Sequence, residues 1–210
     1  SDSRIIYVGM GEHSPRGVTT SYGDGIYKST DAGQTWEHLG LDNTQQISRI
    51  IIHPDDNNIV YVAAQGAING PTKERGIYKS IDGGKTWSNV LFVNQLTGAS
   101  ELSIDYNNPK ILYATMWKHQ RLPWKVISGG QGDGVYKSVD GGDSWFKIEN
   151  GLPSELGKMA ISVSRANSDK VFLLAEGNSN KRSGGLFVSN NAGESWSKVS
   201  SYAELTSRAW

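Results

Sequence analysis

Cysteine is absent from the 210 residues. Disulfides, thiolate metal ligands and a cysteine nucleophile are therefore excluded. Neither charge sign is in excess: Lys+Arg and Asp+Glu number 21 each, for a net charge of zero. Such a balance supplies no general field for nucleic acid or an acidic membrane surface, so neither partner is expected. No run approaches the roughly 18 apolar residues of a membrane helix, and no membrane insertion is expected. The histidines His13, His38, His53 and His119 lack a paired metal-ligand spacing, so no metal and no cofactor is expected. Helical periodicity is missing outside the polar stretch Ser200–Trp210, and no connection holds the crossover helix that a βαβ unit needs. Glycine, in contrast, is plentiful at 25 residues, against an average of about 7%. Hydrophobic residues make up 37% and aromatic residues 10% of the chain, enough to bury a core. Many tight turns between short apolar runs indicate an all-β chain.

A repeat organises the sequence. Four segments align without gaps: Gly25-Ile-Tyr-Lys-Ser-Thr-Asp-Ala-Gly-Gln-Thr-Trp36, Gly76-Ile-Tyr-Lys-Ser-Ile-Asp-Gly-Gly-Lys-Thr-Trp87, Gly134-Val-Tyr-Lys-Ser-Val-Asp-Gly-Gly-Asp-Ser-Trp145 and Gly185-Leu-Phe-Val-Ser-Asn-Asn-Ala-Gly-Glu-Ser-Trp196. The tryptophans are spaced by 51, 58 and 51 residues. A second motif alternates with the first, at 50–63, 102–114 and 161–173. Each copy is a β-rich run, an Asn/Asp/Pro turn and another β-rich run, which reads as a hairpin. One repeat is then two hairpins, or four strands A to D in about 50 residues, the content of a propeller blade. The expected fold is a β-propeller segment of about four blades of four antiparallel strands, with blades near 1–46, 47–98, 99–157 and 158–210.

The pattern Ser-x-Asp-x-Gly-x-x-Trp resembles the Asp-box, or BNR repeat, of sialidases, xyloglucanases and sortilin-type propellers. It is carried by Ser29, Asp31, Gly33 and Trp36; by Ser80, Asp82, Gly84 and Trp87; by Ser138, Asp140, Gly142 and Trp145; and by Ser189, Gly193 and Trp196, with Asn191 in place of the aspartate. The box joins strands C and D. Its carboxylate is placed to accept backbone N–H groups of the turn, its glycine supplies a conformation that a Cβ obstructs, and its tryptophan packs between blades. Catalysis needs one asymmetric constellation rather than the same residue on every blade, so the boxes are expected to be structural.

The ends follow the same arithmetic. Strand A begins 11 to 13 residues after each tryptophan, at Ile47, Ala99 and Lys158. Residues 5–9 match strand B. The strand order is then BCD-ABCD-ABCD-ABCD, and an arc of a larger propeller is expected, with open edges that recruit further blades or a second copy. The tail Ser200–Trp210, through Leu205 and Trp210, is the expected donor.

Recognition is expected on the face of the long, dissimilar B–C connections, 9–24, 65–75, 116–133 and 176–183. The third is the foremost candidate: Trp117 and Trp124 can stack on sugar rings or clamp a peptide, and Lys118, His119 and Arg121 add polar contacts. Glu12, His13 and Arg16 in the first connection can form an acid/base group, and Lys73 and Arg75 lie in the second. The run Asp55-Asp56-Asn57-Asn58 has oxygen ligands suited to calcium, but it occupies an ordinary turn. Sialidases hold their substrate through an Arg-Ile-Pro motif; here Arg4-Ile-Ile and Arg49-Ile-Ile lack the proline. The fuller pattern looks most like large bacterial secreted Asp-box proteins of the sortilin type. It implies a secreted or periplasmic binding propeller for a glycan or peptide, with part of a glycoside hydrolase propeller as the alternative; no signal peptide is visible in the chain. The absence of Asn-x-Ser/Thr sequons fits a bacterial source.

Overall fold

Short β-rich runs between glycine turns fold into four antiparallel sheets in the computed structural model, which describes residues 2–13, 20–177 and 183–206. The first sheet holds β1 (Ile6–Gly9), β2 (Ile26–Ser29) and β3 (Glu37–His38). After a 3-10 turn at Asp42–Thr44, the second holds β4 (Ile47–Ile52), β5 (Val60–Ala64), β6 (Gly76–Ser80) and β7 (Ser88–Leu91). The third is built from β8 (Thr97–Ile104), β9 (Leu112–Leu122), β11 (Gly134–Ser138) and β12 (Phe146–Ile148), with β10 (Lys125–Ser128) added beside the far end of β9. The fourth holds β13 (Leu156–Ser164), β14 (Asn167–Gly177), β15 (Gly185–Ser189) and β16 (Ser197–Ser200). The chain is all-β and has the blade architecture that the repeat predicts.

Three details differ from the sequence reading. Strands β8 and β13 begin at Thr97 and Leu156, ahead of Ala99 and Lys158, because irregular registers let extra residues join the ladder. The third B–C connection is not an irregular loop: β9 runs on and turns into β10, with Leu122 paired to Lys125 and only Pro123 and Trp124 at the turn. Among the described residues the tail adds no further strand after β16. It forms α1 (Ala203–Thr206), which rests on β14 and β15; Trp210 lies outside the described residues.

Each box is a closed set of hydrogen bonds. In the second, Ser80 Oγ donates to Asp82 Oδ1 at 2.8 Å and accepts from Gly84 N at 2.8 Å. Asp82 also accepts from Thr86 N at 2.9 Å and Thr86 Oγ1 at 2.7 Å. The turn needs two successive residues at positive φ, Gly83 at 73° and Gly84 at 97°. A Cβ on Gly84 would sit 2.6 Å from Leu39, so the neighbouring blade enforces the glycine as well. These hydrogen bonds hold the carboxyls of Asp31 and Asp82 down to about 2, the Thr35 and Thr86 hydroxyls being the largest cause. In the fourth box Asn191 keeps the geometry: its Oδ1 accepts from Ser189 Oγ and Ser195 N, while its Nδ2 donates to Ser195 Oγ at 2.9 Å.

The blades share no single core. Buried side chains form three apolar slabs, one at each blade boundary, each including the box tryptophan of the later blade: Trp87 with Ile26, Leu39 and Val62; Trp145 with Ile77, Leu102 and Leu112; Trp196 with Val135, Met159 and Leu173. A polar clasp recurs beside each slab. Tyr7 OH donates to Gly83 O at 2.9 Å, Tyr61 OH to Gly141 O at 2.7 Å, and Tyr113 OH to Ala192 O at 2.8 Å. A lysine paired across from each tyrosine joins it: Lys28 reaches Gly83 O at 3.0 Å, Lys137 reaches Ala192 O at 2.7 Å, and Lys79 reaches the Asp143 carboxylate at 2.6 Å. Nearer the inner edge, Ser48 Oγ donates to Ala99 O and Ser100 Oγ to Met159 O, tying successive inner strands.

Asp82→Asn is expected to keep the box, as Asn191 does, whereas Asp82→Ala leaves the Thr86 and Ser80 groups without their acceptor. Thermal melting checks this, with the alanine variant several degrees below the asparagine variant. The carboxylate contribution is present above pH 4 and is lost as pH falls towards 2, the value to which the fold lowers Asp82.

Candidate functional site

The B–C connections converge on one face, and the strands below determine their shape. The first is tied to the D–A connection by Gly23 N donating to Gln45 O at 2.7 Å. The second wraps around Arg75, whose fully buried guanidinium donates to the carbonyls of Gln65, Ala67, Gly70 and Gln95. Burial lowers Arg75 to about 10. Arg75 is therefore the pin of its own loop and not a ligand contact, a correction to the sequence reading. Lys73 stays exposed.

The β9–β10 hairpin dominates the face. Arg121 N donates to Ile68 O at 2.8 Å and joins the hairpin to the second connection. At its base Asp133 accepts from Lys118 N at 2.7 Å and Gly130 N at 2.9 Å; its carboxyl is pushed up to about 7 by burial. The Lys118 stem packs over Gly130, where a Cβ would come within 2.6 Å of it. At the turn, Trp124 projects with 80% of its surface exposed, whereas Trp117 is 0% exposed. The expectation of a paired tryptophan surface therefore fails for Trp117. Its indole N–H donates to Ser128 Oγ at 3.0 Å, and its ring stacks on His119 with centroids 4.3 Å apart. His119, expected as a surface contact, is likewise buried. Both are held because alternate residues of an extended strand point under the hairpin.

Beneath the hairpin lies a polar group that spacing alone did not reveal. Lys158 Nζ sits 5.5 Å from the Trp117 ring centroid. Glu176 accepts from Ser128 Oγ at 2.7 Å and Lys158 N at 3.3 Å. Glu101 pairs with Arg49 at 3.4 Å. Burial raises the Glu101 carboxyl above its ordinary value, against the pull of Arg49, and lowers the Lys158 amine, against Glu101 and Glu176. Gln46, Gln65 and His119 are buried here. Both polar side-chain atoms of Gln46, Oε1 of Gln65 and Nδ1 of His13 have no hydrogen-bond partner within the chain. Desolvation, reinforced by Lys158, holds His13 at about 3 and His119 at about 4. The group is thus neutral imidazole and amide beside the Lys158 amine, the Arg49 guanidinium and two carboxyls. The run Gln45-Gln46, Gln65 and His119 was the available signal: polar residues at blade positions otherwise filled by apolar ones.

The other expected residues divide. Glu12 accepts from Ser21 N at 3.2 Å, which closes its own connection. His13 joins the His119–Lys158 group instead of forming an acid/base set with Glu12, and Arg16 lies outside the described residues. In the turn 55–58, Asp56 accepts from Asn58 N at 2.9 Å. No group of three His, Asp or Glu able to hold a metal occurs among the described residues.

Residues 24–152, more than half of the chain, match the family model Sortilin-Vps10, described as sortilin, neurotensin receptor 3. The chain belongs to the Sortilin-Vps10 family. It is similar to the xyloglucanase Xgh74A of Acetivibrio thermocellus, 31% identical over 150 residues that cover 62% of this chain and 17% of that enzyme. A xyloglucanase of Hypocrea jecorina is 25% identical over 210 residues, covering 86% of this chain and 22% of that enzyme. The chain thus spans about a fifth of the length of such relatives. Among solved structures, the Xanthomonas campestris GH74 xyloglucanase aligns with a TM-score of 0.66 at 16% identity, over 92% of this chain and 28% of that one. The GH74 enzyme of Niastella koreensis aligns at 0.63 and 22% identity, over 93% and 27%. Both likenesses are of fold. In this Sortilin-Vps10 chain no described helix is long and apolar enough to cross a membrane.

Acid should loosen this face. Unfolded histidine titrates near 6.5, so the unfolded chain gains protons that His119 refuses until about 4. Stability is full above pH 6.5 and falls as pH drops towards 4, by up to about 3 kcal/mol for this one group. His119→Phe keeps an aromatic ring against Trp117 and removes the titration. Melting temperature against pH should fall less steeply below 6.5 in the variant; parallel curves would contradict the assignment.

Proposed function

We propose that this chain is a carbohydrate-recognising propeller segment of a secreted protein. Its B–C face takes a neutral β-linked polysaccharide of the xyloglucan class, the substrate named for its relatives. The observation that carries this reading is Trp124, 80% exposed at the tip of a two-stranded hairpin that buried Trp117 and Asp133 fix in place. An aromatic ring held off the surface by a rigid β-turn offers its apolar face to a pyranose ring at little entropic cost. Arg121 and Lys118, on the same hairpin, supply donors for ring hydroxyls. The zero net charge and the uncharged state of His119 agree with a neutral ligand.

Hydrolysis is the second reading, favoured by Glu101. Its half-buried, raised carboxyl has the character of a general acid. Glycoside hydrolysis requires a second carboxylate across the glycosidic bond, and Glu176 is engaged by Ser128 and the Lys158 backbone. Binding therefore fits the described residues better.

Calorimetric titration with a xyloglucan oligosaccharide tests the proposal. Trp124→Ala should weaken binding by about tenfold or more, as loss of one stacked aromatic does, with the melting temperature unchanged. Equal affinity in the variant would refute the site. Reducing sugar released by the unmodified chain and abolished by Glu101→Gln would favour hydrolysis.

A further inference from the structure

The second B–C connection, 65–75, is a rigid floor with open space over it. Arg75, buried beneath, holds the carbonyls of Gln65, Ala67 and Gly70 from within, and Thr72 N donates to Gln95 O at 2.9 Å. A Cβ placed on Gly70 would meet no atom within 4 Å. Asn69, Pro71 and Lys73 are exposed along the same stretch. Two neighbouring elements are fastened to it at consecutive residues. Arg121 N donates to Ile68 O at 2.8 Å, which joins the β9–β10 hairpin. Asn69 Nδ2 donates to Tyr22 OH, which joins the first connection. Each element brings an exposed ring, Trp124 at 80% and Tyr22 at 54%. Neither ring belongs to the three apolar slabs, so packing of the blades gives no account of them.

We propose that Tyr22 is a second stacking platform, and that the floor between it and Trp124 is an open trough for an extended oligosaccharide. This rests on the carbohydrate reading above and adds a length requirement to it. Trp124 lies three residues beyond Arg121, about 10 Å at the rise of a strand. Tyr22 meets the floor one residue from the Arg121 contact. The rings therefore flank the floor roughly 10 to 20 Å apart, too far for one pyranose to reach both. A hydroxyl anchored at Asn69 restricts the Tyr22 ring, so its face is presented at small entropic cost. Once a chain sits on one ring, its contact with the other is intramolecular, and the two contacts reinforce each other. The face accordingly recognises a stretch of several sugar residues and discriminates against single sugars.

Calorimetric titration with xyloglucan oligosaccharides of short and long backbone tests the trough. The unmodified chain should bind the long ligand about tenfold or more tighter than the short one. Tyr22→Ala should remove that advantage, weakening the long ligand about tenfold and leaving the short ligand on Trp124 unchanged. Gly70→Leu provides a second arm. Gly70 lies outside the left-handed region and its added Cβ meets nothing, so the variant should keep its melting temperature while filling the trough. It should weaken the long ligand likewise. Equal affinity of the unmodified chain for short and long ligands would overturn the trough. So would an unchanged affinity for the long ligand in either variant; if Trp124→Ala still weakened that ligand, the carbohydrate reading would stand without the trough. No binding by the unmodified chain at any length would overturn that reading and the trough with it.

Discussion

One backbone carbonyl in each of the second, third and fourth Asp boxes carries the connection between blades. A blade is a small twisted sheet with two faces to bury and no helix to cover either, so its neighbours must supply the cover. The apolar slabs do this without direction, and alone they would permit sliding of one blade over the next. The tyrosine hydroxyl and lysine amine converging on Gly83, or on Ala192, fix the offset. The box has to be rigid for that purpose, which is why its own side chains are so completely paired. Serine and aspartate fold the turn so that one carbonyl points outwards at a set height. Stability and geometry therefore meet in an eight-residue motif, Ser80 to Trp87.

This rigidity positions the candidate site. The B–C face grows from the strand ends opposite the boxes, and its parts are held by hydrogen bonds between neighbouring blades. Gln65 bonds to the Trp117 carbonyl, Arg121 N to Ile68 O, and Ser128 to Glu176. The hairpin bearing Trp124 consequently rests on three blades. Below it lie the buried amides of Gln46 and Gln65 and the His119 imidazole.

Most of the fold could be read from the sequence, because the repeat is written in small local signals. Asn/Asp turns, glycines at positive φ and boxes at blade spacing each specify a turn, and turns specify the strand order. The site was less legible. Trp117 and Trp124 look alike in sequence, yet strand alternation buries one under the hairpin and leaves the other exposed. No local pattern announces that β9 continues to Leu122. Arg75 resembled a binding cation; only the closure of the second connection around it shows that four carbonyls hold it. The clasp was visible as the lysine of Tyr-Lys-Ser in three repeats and as Tyr7, Tyr61 and Tyr113 on the preceding strands, and Phe172 and Val188 both depart from it in the fourth. Paired departures within a repeat are evidence of contact, but the partner carbonyl lies on another blade and leaves no trace in the local sequence.

Hydrogen exchange followed residue by residue tests the clasp most directly. Protection in a turn depends on what must open to expose it. If the clasps hold the blades, the second, third and fourth boxes should exchange slowly and in step with the strands bearing Tyr7, Tyr61 and Tyr113. The first box, with the same internal bonds but no tyrosine or lysine upon it, should exchange markedly faster. Equal protection of all four boxes would show that the boxes are stable by themselves and that the clasps contribute little.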